Sequence, residues 1–201
     1  MENNSKLERL KQTFFNRNTK KVAKDLIGRY LIRETEHGNM IGKITEVEAY
    51  VGPDDKACHC YNYRKTDRTK IMYRTPGTHY VYLIYGMYHC LNVVTEEEGM
   101  PCAVLIRELY PVAGIEIMKS NRNVKIGKKY KNLVDGPGKL CMALDITKEK
   151  FNGKNSCSLD AKLYYTKGEP VEKASIEALK RIGIDYAGKD KERLLRFRVE
   201  G

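Results

Sequence analysis

Tryptophan is missing from this 201-residue chain, and only 4 phenylalanines stand beside 14 tyrosines. Aromatic surface therefore comes almost wholly from rings that carry a hydroxyl, which suit a wet binding face as well as a core. No unbroken apolar run opens the chain. Met1 to Arg17 alternate charged and apolar side chains, which excludes a secretory signal and predicts an internal, cytoplasmic protein. The 21 residues between Arg74 and Glu96 are uncharged, about the length of a membrane span, but Pro76, Gly77, His79, Gly86, His89 and Asn92 interrupt them. Soluble strands are expected there, and no membrane span. Internal repeats and apolar-poor linkers are absent, so residues 1–201 read as one domain, with 1–17 an N-terminal extension or helix. Six cysteines in an unsecreted chain read as reduced thiols rather than a disulfide framework. Cys58-His59-Cys60 lacks the spacing of structural zinc loops, and the plainer reading is small buried side chains with no metal.

Apolar residues make up 41% of the chain and charged ones 31%, enough to fold a single domain. Thirty-seven Lys+Arg against 26 Asp+Glu leave a formal charge of +11, which favours a polyanionic partner, nucleic acid or an anionic membrane surface. Asn121 to Asn132 concentrates the imbalance: Arg122, Lys125, Lys128, Lys129 and Lys131 occur there without an acid, as in a solvated basic loop.

Val22, Ala23, Leu26 and Ile27 form an apolar stripe over Lys20 to Ile27, with Asn18 or Thr19 placed to cap a helix and Gly28 to end it. Arg29 to Glu34 and Ile41 to Val51 read as strands about a His37-Gly38-Asn39 turn. Tyr80 to Tyr85, Leu91 to Thr95 and Ala103 to Leu109 extend a largely antiparallel sheet. Pro111 is expected to open a helix to about Ser120, and Gly136-Pro137 another that turns Leu140, Met142, Ala143 and Leu144 inward.

Period-two alternation sends Val47, Ala49 and Val51 to one face of a strand and Glu46, Glu48 and Tyr50 to the other. A carboxylate among aromatic walls can activate water as a general base, although a solvent-facing strand edge carries glutamates too. Tyr50, Tyr61, Tyr63, Tyr73, Tyr80, Tyr82, Tyr85 and Tyr88, interleaved with Arg64, Lys65, Arg68, Lys70 and Arg74, suit bases stacking in a charged groove, or an ordinary sheet core.

Longer motifs narrow these alternatives. Glu46-Val47-Glu48-Ala49-Tyr50, Gly52-Pro53-Asp54-Asp55 and His59 are followed by Pro76-Gly77-Thr78, Tyr80 through Tyr88, and Asn92. Val104-Leu105-Ile106-Arg107, Gly136-Pro137, Lys139-Leu140-Cys141, Arg181-Ile182-Gly183-Ile184 and Leu195-Arg196-Phe197 continue the series. From about Val22 to Arg198 the chain resembles the alkyladenine (3-methyladenine) DNA glycosylase family.

The resemblance implies an α+β single domain, a curved antiparallel sheet with peripheral helices, similar to the C-terminal-domain-like fold of formyltransferases. It implies an enzyme that flips alkylated or deaminated purines from duplex DNA and hydrolyses their glycosidic bond, without cofactor or metal, as a monomer with no obligatory protein partner. Glu48 matches the residue that deprotonates water, Arg107 its partner, and Ile182 the backbone carbonyl on that water. Tyr50, His59 and Tyr82 match the walls around the base, and Asn92 the residue opposing guanine's 2-amino group. Tyr85 matches the intercalating side chain, with Met87 lining the wedge; on this reading Arg68, Lys128, Lys129, Lys131 and Lys139 would contact the DNA backbone, the lysine loop because its cations run without an acid. The chain departs from the family at Thr69, Lys180 and Leu194, and lacks the long tail of animal members, which implies a compact bacterial type acting on the nucleoid. The rival class is a non-catalytic basic RNA- or DNA-binding module with an aromatic platform, which gains nothing from a carboxylate such as Glu48 beside a phosphate-rich ligand.

Overall fold

The computed structural model describes residues 7–169 and 171–199. Of the N-terminal segment expected at 1–17, residues 1–6 lie outside the described residues, and a short helix α1 (Gln12–Phe15) buries Phe15 completely. Helix α2 (Thr19–Leu26) turns Val22, Ala23 and Leu26 inward. Its N-terminus is held from afar: Glu96 Oε1 accepts from the Thr19 N–H at 3.0 Å and from its hydroxyl at 2.5 Å, while Asn18 makes no side-chain cap. Gly28 follows at φ +82°, where a Cβ would stand 2.3 Å from the Glu169 carbonyl, so only glycine fits this exit.

Strands β1 (Tyr30–Thr35) and β2 (Gly38–Tyr50) form a hairpin. They are followed by β3 (His79–Ile84), β4 (Tyr88–Thr95) and β5 (Cys102–Ala113), helices α3 (Ile115–Arg122), α4 (Pro137–Ala143) and α5 (Lys148–Phe151), and β6 (Leu163–Thr166), β7 (Glu177–Leu179) and β8 (Arg196–Arg198). The sheet runs β3-β4-β5-β2-β1-β6, every pairing antiparallel, and it is curved in the manner of a half-barrel. Thus the mixed α+β class and the curved antiparallel sheet expected from the sequence are present.

β2 is the organising strand. One edge pairs with β5, while the other pairs first with β1 and then, over Glu46 to Glu48, with β8. Three irregularities break the β2–β5 register: near the start of β2 Val112 has no partner, and two bulges follow, where Thr45 has no partner on β5 and Arg107 has none on β2. An extra residue reverses which face each later side chain meets. Met40 and Ile44 face the core before the first bulge, Val47 and Ala49 after it, and Glu46, Glu48 and Tyr50 are turned to the opposite face. In β5 the same reversal lets Val104, Ile106 and Leu109 all reach the core while Arg107 stands opposite.

Three expectations are corrected. Pro111 opens no helix; it stays in β5 opposite Gly42, beside a register shift that spares a ladder hydrogen bond, and α3 begins only after Gly114. In α4 Cys141 takes the core position expected for Met142, which is 38% exposed. Arg122 is buried rather than solvated, donating to the Asn132 carbonyl at 3.1 Å, and it anchors the base of the basic loop. Cys58, Cys60, Cys90, Cys102 and Cys141 are buried thiols. Among the described residues no helix is long and apolar enough to cross a membrane, and no cluster of His, Cys, Asp and Glu is arranged to hold a metal ion.

Candidate active site

A cavity of about 360 Å³ opens on the face of the sheet opposite the main core. Its floor is a second apolar cluster of Cys58, Cys60, Ile71, Met72, Tyr80 and Ala103, against which Tyr50 and Tyr82 pack. Tyr50, His59, Arg68, Tyr82, Tyr85, Asn92, Arg107 and Ile182, singled out in the sequence, all line the cavity. Cys58 and Leu105, members of motifs already noted, line it as well, as do Met72 and Tyr186, which no signal in the pattern marks.

Glu48 sits immediately behind this lining, fully buried. Its Oε2 accepts from the Tyr50 hydroxyl at 2.8 Å, and its Oε1 accepts from the Ile182 N–H at 2.9 Å and faces Arg107 Nη1 at 3.2 Å. Ile182 thus meets Glu48 through its N–H. Burial pushes the Glu48 carboxyl above the ordinary carboxylate range, with Arg107, the Ile182 amide and Tyr50 pulling the other way. Burial, and then the charge of Glu48, holds the Tyr50 phenol far above its usual value. Arg107 is half-buried, which opposes its charge, but Glu48 and Glu46 outweigh that and bind its proton more tightly.

His59 and Tyr82 touch edge to face, ring centroids 4.8 Å apart, so no base fits between those two; they make one wall together. His59 Nδ1 lies 3.0 Å from the Tyr80 hydroxyl, and burial, reinforced by Arg68 and Arg64, lowers its pKa to about 4, which leaves a neutral ring at pH 7. The Arg68 guanidinium lies 4.8 Å from the Tyr82 ring centroid, so this exposed side chain also lines the cavity. Asn92 is buried and donates from its amide to the Tyr80 carbonyl at 3.1 Å, which fixes its direction.

A buried ion pair holds the rim. Arg181 Nη1 and Nη2 grip the two oxygens of Asp55 at 2.6 and 2.8 Å, both side chains fully buried. Arg181 also donates to the Ala49 carbonyl at 3.0 Å and lies over the Tyr50 ring. Asp55 and Arg181 are 126 positions apart, and nothing in either segment alone pairs them.

At the tip of the β3–β4 hairpin Tyr85 is 84% exposed and Met87 64%. Tyr85 and Gly86 both adopt left-handed backbone, at φ +51° and +69°, closed by the Met87 N–H donating to the Ile84 carbonyl. That conformation is ordinary for glycine and costs a tyrosine about 1 kcal/mol, so the turn holds Tyr85 clear of the surface against a local preference. Lys128, Lys129 and Lys131 are exposed on a loop anchored by half-buried Ile126 and Tyr130. Lys139 is half-buried and engaged with Asp135 and Asn132, both at 3.1 Å.

The pattern that defines the Methylpurine-DNA glycosylase family matches residues 13–201. A relative from Clostridium novyi, named "Putative 3-methyladenine DNA glycosylase", is 47% identical over 199 residues, covering 96% of each chain. Proteins of the same name from Methanocella arvoryzae (47% identical, 94% of this chain and 90% of the relative) and Clostridium tetani (46%, 96% of each) align as fully. The chain belongs to the methylpurine-DNA glycosylase family, and its substrate is DNA.

Proposed function

We propose that this protein excises alkylated and deaminated purines from duplex DNA, the class of 3-methyladenine, 7-methylguanine, hypoxanthine and ethenoadenine, leaving an abasic site. The observation that carries the reading is Glu48, a fully buried carboxylate held by Arg107, Tyr50 and the Ile182 amide at the back of an aromatic cavity. A carboxylate has about four acceptor positions, and these three donors leave one on Oε2 for a water. Arg107 keeps the group ionised, while burial keeps it basic enough to take a proton. As the purine leaves, the sugar gains oxocarbenium character, which the same carboxylate stabilises in a low-dielectric site.

In this reading Tyr50 forms one wall for the flipped base, and His59 with Tyr82 the other. A neutral His59 does not repel the cationic ring of an alkylated purine. Asn92 opposes the 2-amino group of normal guanine, so selection rests on stacking together with rejection. The relatives' names favour 3-methyladenine as one substrate. The protein works as a monomer on damaged duplex DNA, at the nucleoid. Duplexes each bearing one such lesion, incubated with the protein in EDTA, are expected to yield free base and alkali-labile sites; a panel without either product contradicts the proposal.

Tyr85 fills the gap left by the flipped nucleotide. Tyr85→Ala is expected to weaken lesion binding and slow single-turnover excision together, by a few kcal/mol at most, the scale of unstacking one base. Wild-type values in both measurements would assign the wedge to another side chain. Neutralising Lys128, Lys129 and Lys131 together is expected to lower affinity for damaged and intact duplexes by similar factors. The slope of log K against log salt should flatten by about one for each phosphate that the loop no longer neutralises, and an unchanged slope would remove the loop from the interface.

A further inference from the structure

Glu46 shares a strand face with Glu48 but has a different set of partners. Its side chain is 8% exposed, and its Oε1 accepts from Arg107 Nε at 2.8 Å and from Arg196 Nη1 at 3.3 Å. Arg107 is the unpaired bulge residue of β5, so the sheet ladder does not dictate where its side chain goes; Glu46 grips Nε and leaves Nη1 aimed at Glu48 Oε1. Arg196, on β8, donates from Nε to the Lys180 carbonyl at 2.7 Å, two residues before the Ile182 amide that holds the same Oε1. Both donors to Glu48 Oε1 are therefore tied to one neighbouring carboxylate, directly for Arg107 and through Arg196 and Lys180 for Ile182.

We infer that Glu46 is a positioning residue for excision: it sets where Arg107 and the Lys180–Ile182 segment stand, and shares the Arg107 charge so that Glu48 remains an effective base. This rests on the reading of Glu48 as the base. The two carboxylates then divide the labour, Glu48 meeting water and Glu46 meeting only the cations. Arg107 placed on Glu48 alone would hold its carboxylate ionised more strongly, and so make it a weaker acceptor for the water's proton.

The charged and titratable groups that act on this pair are few. Arg107, Arg181, Tyr50, Cys90 and Tyr186 interact with Glu48, and Arg107, Arg196 and Glu108 with Glu46. Glu108, raised first by burial and then by Glu46, lies on β5 beyond Arg107 and is paired in register with Glu46.

Two variants separate position from charge. Glu46→Gln keeps an oxygen that can accept from Arg107 and Arg196 but removes the charge; Glu46→Leu removes both. Single-turnover excision and lesion-duplex affinity are measured across pH, on a duplex carrying 7-methylguanine, beside Glu48→Gln. Glu46→Leu is expected to lose about 10²-fold in rate, the scale of a misplaced catalytic group, at near wild-type affinity. Glu46→Gln is expected to recover much of that loss and to move the acid limb of the rate to lower pH, because Arg107 now acts on Glu48 alone. Should the leucine variant fail to fold, the glutamine variant decides by itself: a shifted acid limb supports the inference, and a profile superimposed on wild type overturns it. An inactive Glu48→Gln beside wild-type Glu46 variants overturns only the positioning role. An active Glu48→Gln overturns the reading of Glu48 beneath it.

Discussion

Glu48→Gln is expected to lower single-turnover base release by about 10²–10⁴-fold, the range supplied by a positioned general base, while lesion-duplex affinity stays close to wild type. The substitution is nearly isosteric. A glutamine oxygen can still accept from the Ile182 N–H and lie beside Arg107, its amide nitrogen can donate to the Tyr50 hydroxyl, and Arg107 keeps Glu46. What disappears is the capacity to take a proton from water and to place negative charge near a developing cation. A rate within about threefold of wild type in a folded variant would remove Glu48 from the chemistry.

The largest expected effect on stability is at the Arg181–Asp55 pair. Arg181→Leu leaves the Asp55 carboxylate fully buried, with only the Val51 and Ala57 amides at 3.2 and 3.1 Å to satisfy it. Breaking one side of a buried pair costs about 3–5 kcal/mol, which for a chain of this size corresponds to a fall in Tm on the order of 10 °C. Adding Asp55→Leu should recover part of that loss, because the stranded charge goes with it. The loss is expected to reach the site as well, since Arg181 packs on Tyr50 and neighbours Ile182. Urea unfolding of the two single variants and the double variant measures this; a single-variant loss under about 1 kcal/mol would show that water reaches Asp55.

Much of the frame is legible in the sequence because it rests on short-range pattern. The apolar stripe of α2 and the glycine that ends it, the β1–β2 hairpin, and the common face of Glu46, Glu48 and Tyr50 follow from periodicities of about 3.6 and 2. The bulges at Thr45 and Arg107 have no such signature. They are set by how two strands accommodate curvature, and they decide that the even-numbered residues after Thr45 face the cavity whereas Met40 and Ile44 face the core. Pro111 misleads for a related reason: a missing N–H favours a helix start and a strand irregularity alike, and only the partner strand chooses. The lone arginine in the apolar run Val104-Leu105-Ile106-Arg107 is a usable sign of a buried partner. Asp55 with Arg181, and Glu46 with Arg196, give none, because each pair meets only once the chain has closed over more than a hundred residues.

If a carboxylate made basic by burial activates water against the glycosidic bond, its titration must appear in the rate. The most direct test is the pH dependence of single-turnover excision from a duplex bearing one 7-methylguanine, corrected for spontaneous depurination. That lesion already carries its positive charge, so no protonation of the leaving base is needed and the acid limb reports on the base alone. Because burial raises the Glu48 carboxyl, the rate should fall with acid through a midpoint above the ordinary carboxylate value of 4.5. A rate that holds constant down through that value, or one that rises as the pH falls, would contradict a water-activating role for Glu48.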